Sequence, residues 1–296
     1  MNKKHLRGLI HTGMVIVLAI MIPAVSGALC ASAAGAKKSA AMASKATIVF
    51  VHGSSYGALC WDNFVSYFSA RGYETIAVTL AGHTPGPGNR AAPAGEAPVE
   101  TVRRAVVEAK KNNDIPVIVV GHSMGGTVTQ KFLEAYPDLA DGGILLSSAG
   151  PENSPKALAA TAVRLLFSPR KIVEIVRVFI IGALAPNNPR FVQKSGFFSS
   201  RISLEDAAKY AKLLCRQQAL DISTEPIDIS KIKVPVYVLA SDGDVFTTSC
   251  EQKPIADIYG TELAVLDDLC HDMMLDPEWE KAAEAVERFA ERILAK

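Results

Sequence analysis

The sequence predicts an α/β protein: a mostly parallel central sheet flanked by helices, with a helical insertion late in the chain. Three observations predict it. Short apolar runs alternate with helical stretches along the chain. Those runs are continuously apolar, as strands covered on both faces are, instead of alternating with polar residues. The alternation is broken only once, between about residues 150 and 225, by a largely helical stretch with no clear strand. Repeated β-α units build a parallel sheet with helices on each side, and the interruption reads as a cap over one end of it.

The elements follow in order. Thr47 to Val51 (TIVFV) is a β-rich run ending at His52-Gly53. Asp62 to Ala70 has helical character and Gly72 stops it. Thr75 to Val78 is a second strand. Ala81 to Pro98 is rich in Gly, Pro and Ala and reads as loop. Val99 to Asn112 is an amphipathic helix with Val102, Val106 and Ala109 on one face. Val117 to Val120 is a strand between Pro116 and Gly121, Met124 to Tyr136 a helix, and Gly143 to Leu146 a strand. In the insertion, Ala157 to Leu184 is strongly apolar, yet Arg164, Arg170, Lys171, Glu174 and Arg177 interrupt it, so it is not a membrane span. The alternation resumes with Val236 to Ala240, Ile255 to Tyr259 and Leu263 to Leu266, ahead of a terminal helix from Pro277. No internal repeat is visible.

The first residues are unlike the rest. Lys3, Lys4 and Arg7 precede the apolar run Met14 to Ile22, then Pro23, Gly27 and a small-residue stretch from Ala31 to Ala36. That order describes a secretory signal peptide, with cleavage after Ala33 or Ala36 fitting the small-x-small rule. A retained anchor is the alternative, because Leu9 to Leu29 is nearly long enough to span a bilayer. Residues 1–45 are therefore read as signal peptide and linker and 46–296 as the domain, in an exported protein, periplasmic or secreted.

The chain has 296 residues, 49% of them hydrophobic, and a formal net charge of +1. Length alone suggests two domains, but single α/β sheets of this size are common. The near-zero charge leaves no basic stripe for a nucleic acid; a small or apolar molecule is the expected partner. Of five cysteines, Cys30 lies in the leader. Cys60, Cys215, Cys250 and Cys270 show neither CxxC spacing nor histidines at zinc-ligand distance. They read as buried thiols with room for one bridge, whose pairing the sequence does not rank. Oligomeric state is not legible.

Gly121-His122-Ser123-Met124-Gly125-Gly126 is the most informative stretch. It fits G-x-S-x-G, follows a strand and opens a helix, the context a nucleophile elbow demands. A sharp strand-to-helix turn strains the serine and leaves room only for glycine-sized neighbours. It also presents the hydroxyl at a positive helix N-terminus. A serine hydroxyl needs a base to accept its proton. Of six histidines, His5 and His11 belong to the leader. His52 and His122 flank turn glycines and read as structural, and His83 in the Gly/Pro loop reads as solvated or at a rim. His271 remains, between the last strand and the final helix, at the strand end where open α/β sheets place their sites. The base in turn needs a carboxylate, and Ser241-Asp242-Gly243-Asp244 follows a strand in the chain order Ser…Asp…His. Asp244 is the choice, with Asp242 as a loop-structuring carboxylate; composition does not separate them. The oxyanion donors expected are the backbone N–H of Met124 and that of Ser54 in the His52-Gly53-Ser54-Ser55 turn. The glycines Gly82, Gly86 and Gly88 lack the strand-helix context of a dinucleotide fingerprint, and neither cofactor nor metal is expected.

HGSSYGALCW (His52 to Trp61), GHSMGG (Gly121 to Gly126), SDGDVF (Ser241 to Phe246) and CHDMMLDPEW (Cys270 to Trp279) together resemble the α/β-hydrolases. The likeness is strongest to the plant methylesterase and hydroxynitrile-lyase group and its bacterial esterase relatives. It runs from residue 46 onward and is weakest in the cap. The resemblance implies Ser123 as nucleophile, Asp244 as the acid, His271 as base and Ser54 as an oxyanion donor. Two positions depart from the lyases, which carry a threonine at Gly53 and a nitrile-binding lysine at Asp272. Ester hydrolysis through an acyl-enzyme is therefore expected, on short or apolar esters. The alternatives are another triad chemistry (C–C hydrolase, perhydrolase, hydroxynitrile lyase) and a non-catalytic small-molecule binding protein on the same fold.

Overall fold

The computed structural model describes residues 44–54, 56–83, 92–112, 114–151, 172–173, 189–194, 196–214 and 226–296. They belong to the compact unit Met42–Lys296; a first unit, Met1–Ala41, which carries the expected signal peptide, lies outside the described residues. Six strands form one sheet: β1 (Thr47–Val51), β2 (Glu74–Val78), β3 (Val117–His122), β4 (Gly142–Leu146), β5 (Val236–Ser241) and β6 (Leu263–Leu266). Their order is β2-β1-β3-β4-β5-β6, and every neighbouring pair is parallel. The helices are α1 (Asp62–Ser69), α2 (Pro98–Asn112), α3 (Met124–Ala135), α4 (Pro189–Lys194), α5 (Leu204–Ala211), α6 (Ser249–Ile258) and α7 (Trp279–Leu294). Ile255 to Tyr259 thus falls at the end of α6, between the last two strands. No helix among the described residues is long and apolar enough to cross a membrane.

The continuous apolar runs have a simple cause. Successive strand side chains point to opposite faces, and here both faces are covered. Ile48, Phe50, Ile118, Val120, Ile144 and Leu146 pack with Phe64 and Phe68 of α1 and Val286 and Phe289 of α7. Val49, Val51, Val117 and Val119 pack with Val102 and Val106 of α2, Val128 and Phe132 of α3 and Ile255 of α6. Phe50 stacks on Trp61 at 4.9 Å and meets Phe64 edge-on at 6.0 Å. All three are fully buried, each contributing about 1.5–3 kcal/mol by leaving water. The core is therefore two apolar layers sandwiching the sheet.

Of the insertion, α4 and α5 are described. Within Ala157 to Leu184 only Ile172 and Val173 are, both exposed. Because the strands are parallel, all their C-terminal ends lie along one edge of the sheet, where loops diverge to form a crevice. His52-Gly53 follows β1, Ser123 follows β3, Asp244 follows β5 and His271 follows β6.

Candidate active site

Ser123 occupies the turn between β3 and α3 with φ 52° and ψ −120°, a region that costs a non-glycine residue of order 1–3 kcal/mol. Its N–H donates to the Leu146 carbonyl at 2.9 Å, and its carbonyl accepts from Gly126 at 3.0 Å. The motif glycines are required by close approach. A Cβ on Gly125 would lie 2.3 Å from the Val51 carbonyl oxygen, and one on Gly121 2.4 Å from that of Gly125. The first turn of α3 can press this close to the ends of β1 and β3 only without side chains there.

The loop after β6 carries His271 and is tied to the end of β5. Ser241 Oγ donates to the Leu269 carbonyl at 2.6 Å, and Leu269 N–H donates back to Oγ at 3.0 Å. Asp242 Oδ1 accepts the Asp268 N–H at 2.6 Å, the loop-structuring role read for it. Asp276 is buried and receives the Cys270 N–H at 3.1 Å. These bonds bring His271 Nδ1 to 2.8 Å from Asp244 Oδ2, with both side chains buried. The second Asp244 oxygen accepts the N–H groups of Phe246 at 2.7 Å and Thr247 at 3.1 Å. Burial pushes the Asp244 carboxyl upward, but the attraction and hydrogen bond of His271 and the bonds from Thr247 win, holding it below its ordinary value. For His271 burial opposes the charge, yet Asp244, and secondarily Asp272, raise it above an ordinary imidazole. The carboxylate fixes the proton on Nδ1 and leaves Nε2 to accept another.

The other expected residues lie at the same edge. A Cβ on Gly53 would sit 3.2 Å from Ser123 Cβ, so Ser54 begins beside the Ser123 turn. Met124 opens α3 directly after Ser123, at the helix end toward which the backbone N–H groups point. Ser55 lies outside the described residues.

His52 and His122 are structural, as read. His52 donates from Nδ1 to the Gly53 carbonyl at 2.7 Å and accepts the Leu80 N–H at 3.1 Å. Burial and the neighbouring His83 lower it to about 3. His122 Nε2 donates to the His271 carbonyl at 2.9 Å, with the two rings 4.8 Å apart, so the strand end bearing Ser123 touches His271 directly. One expectation is corrected: His83 is buried, not solvated, and packs 4.7 Å from His52. A second is corrected in part: Cys60 and Cys270 are buried and form no disulfide among the described residues, but Cys250 is exposed, and Cys215 lies outside the described residues.

Sequence reasoning missed three neighbours of His271. Phe197 and Phe246 stack on one another at 4.8 Å and lie 5.8 and 5.3 Å from its ring. Phe246 stood in a quoted motif without a role, and nothing in the sequence ties Phe197 to the site. Asp272 is buried against Tyr56, whose hydroxyl donates to it at 2.7 Å. His122, His271 and Asp272 bring one nitrogen or oxygen each within 4.8 Å of one another. His122 Nε2 serves the His271 carbonyl and His271 Nδ1 serves Asp244, so one nitrogen of each ring is committed to a hydrogen bond.

A strained serine at a strand-to-helix turn, with a His–Asp pair on neighbouring strand ends, can perform nucleophilic acyl transfer. Curated relatives share parts of this chain. The Pyrethroid hydrolase of Sphingobium wenxiniae is 32% identical over 101 residues, 34% of this chain and 35% of its own length. Methylesterase 10 of Arabidopsis thaliana is 32% identical over 115 residues, 37% and 40% of the two chains. Protein ABHD8 of Bos taurus is 25% identical over 248 residues, 77% and 52%. The chain thus spans about a third to a half of the length of these relatives. Among solved structures, a thermophilic esterase from Thermogutta terrifontis superposes with a TM-score of 0.61 at 19% identity, over 85% of this chain and 91% of that one. A methylesterase from Arabidopsis gives 0.55 at 21%, over 83% and 99%; at such identities these structures speak for the fold alone. The Alpha/beta hydrolase family profile matches residues 48–285. With that match over most of the chain, the six parallel strands and the turn at Ser123, the protein belongs to the alpha/beta hydrolase family.

Proposed function

We propose that the chain is a serine hydrolase that cleaves small or apolar carboxylic esters through an acyl-enzyme. Ser123 is the nucleophile, His271 the general base and Asp244 its carboxylate partner; the Ser54 and Met124 N–H groups hold the oxyanion. The observation that carries this is the strained Ser123 turn at one sheet edge with the buried 2.8 Å His271–Asp244 pair. In the first half-reaction His271 Nε2 takes the Ser123 proton as Oγ attacks the ester carbonyl. It then delivers that proton to the leaving alcohol, and water releases the acyl group by the reverse sequence. Phe197 and Phe246 beside the base favour an ester with an apolar part. Relatives named as a methylesterase and as a probable esterase support the reaction class.

The lyase alternative is disfavoured by sterics. A threonine in place of Gly53 would bring its Cβ to 2.9 Å from His122 Nδ1, and the position of the lyases' lysine holds the buried Asp272. Export rests on the basic, apolar and small-residue order of residues 1–45; N-terminal sequencing of the protein from cell fractions tests it, and an intact Met1 in the membrane fraction would favour the anchor instead.

The test of function is a panel of p-nitrophenyl esters, from acetate to palmitate, with the chain beside Ser123→Ala. We expect turnover that falls at least about 10⁴-fold in the variant. Turnover independent of Ser123 would overturn the assignment. A folded protein that neither turns over any ester nor reacts with a fluorophosphonate at Ser123 would favour the binding-protein reading.

A further inference from the structure

The base is faced by two carboxylates, and only one belongs to the Ser–His–Asp set. Asp272, the residue after His271, is 1% exposed. Its Oδ2 accepts the hydroxyl of Tyr56 at 2.7 Å across 216 positions of sequence. Its Oδ1 has no hydrogen-bond partner among the described residues and lies 3.8 Å from His122 Nε2. One ring nitrogen of His271, one of His122 and one Asp272 oxygen all fall within 4.8 Å of each other. The backbone is fixed as well, with the Asp272 N–H donating to the Phe197 carbonyl at 3.0 Å. A buried carboxylate with one oxygen lacking a protein partner among the described residues opposes folding. An asparagine would keep the Tyr56 bond without burying a charge, so the charge calls for a reason.

We propose that Asp272 is a positioning residue for the base: a second buried carboxylate, anchored by Tyr56, that stabilises the charge His271 acquires when it takes the nucleophile's proton. The proposal rests on the hydrolase reading above. A negative charge within 4.8 Å of the ring is poorly screened in a buried site and favours the imidazolium over the imidazole. The benefit grows as the proton moves from Ser123 Oγ to Nε2, so it falls on the transition state more than on the resting enzyme. His122 fits the same design. Burial and then the nearby His271 lower its own basicity to about 3, so it stays neutral and packs between the two groups without competing for the charge.

The groups around Asp272 set the pH range. Tyr56 faces it from the loop after β1, His122 from β3 and Asp244 from the loop after β5. Cys270 and His271 adjoin it in the chain. Burial lifts the Asp272 carboxyl to about 6, against the pull of His271 and the Tyr56 bond and with a push from Asp244. Asp272 is thus ionised at neutral pH and loses its charge as pH falls through about 6. His271 serves as a base only when unprotonated, so activity falls on the acid side of its raised value. Removing the Asp272 charge removes one cause of that raise, and the acid limb moves to lower pH.

The test compares the chain with Asp272→Asn and Tyr56→Phe by two readouts. The first is an NMR titration of the His271 ring, made in a Ser123→Ala background so that it needs no turnover. The second is the pH profile of kcat and KM on the best ester of the panel. In Asp272→Asn we expect the His271 midpoint and the acid limb to fall together by about one pH unit, with a several-fold loss in kcat and little change in KM. Tyr56→Phe removes the bond that holds the Asp272 carboxyl down, so its charge weakens; both readouts should shift in the same direction, which covers the case in which Asp272→Asn does not fold. If His271 titrates at the same pH in the folded variants and the parent, the proposal is overturned even when esters are hydrolysed. If no ester is hydrolysed, the hydrolase reading fails while the titration still decides the coupling.

Discussion

At Gly53 a single missing Cβ sets what the crevice can hold. A side chain there would press within 2.9 Å of His122 Nδ1 and 3.2 Å of Ser123 Cβ. Both belong to the strand end that presents the serine, and His122 also supports the His271 carbonyl. Gly53→Thr therefore disturbs the surroundings of Ser123 and His271 together. We expect kcat/KM on the preferred ester to fall about 100-fold, because sub-ångström misplacement of reacting groups is costly. The melting temperature should drop only a few degrees, since the turn is at the sheet edge and not in the core. A variant with parental kcat/KM would show that the turn relaxes away from Ser123 and would remove the steric argument against a threonine.

At the scale of elements, the contact of α3 with the strands decides the geometry of the serine. Gly125 lets the helix's first turn lie against the ends of β1, with the Val51 and His52 carbonyl oxygens 2.3 and 2.5 Å from where a Cβ would be. Those oxygens are backbone, held by the parallel ladder, and cannot swing aside as a side chain would. Gly125→Ala is expected to cost about 1–3 kcal/mol or more by overpacking, read as a lower midpoint in thermal or urea unfolding. Activity should fall further than stability predicts, because the shift propagates into the Ser123 turn. An unchanged midpoint would mean that α3 is less firmly seated than its contacts with the sheet imply.

At the scale of the whole molecule, Arg201 of the insertion is tied to the loop that carries His271. Arg201 donates to the Asp268 carbonyl at 2.5 Å, reaches Asp276 Oδ1 at 3.3 Å and pairs with Glu278. Asp276 is buried and also receives the Cys270 N–H beside His271, while Phe197 lies four residues before Arg201 and faces the base. Arg201→Ala should cost about 1.5–3 kcal/mol at most, the range for hydrogen bonds to charged groups. It should also lower turnover by loosening the His271 loop. Arg201 is partly exposed, so part of the effect should fade at high salt. An activity loss without any change in melting temperature would place the effect on the insertion alone.

The sequence by itself determined most of the frame. Continuous apolar runs announced strands covered on both faces, and G-x-S-x-G in a strand-to-helix context placed Ser123 at the turn. The chain order put His271 and Asp244 after later strands. These features were legible because each is local: a run of apolar residues, a glycine spacing, a residue just past a strand end. Three things were decided only by the tertiary structure. The Tyr56–Asp272 bond joins residues 216 positions apart, and no local pattern marks such a pair. The stacking of Phe197 on Phe246 depends on the path of the insertion, which short-range periodicity does not encode. The burial of His83 against His52 overrides a Gly/Pro-rich neighbourhood that reads as solvated. In each case burial and Coulomb interaction depend on distance through space, and the parallel sheet brings to one edge residues that the chain keeps far apart.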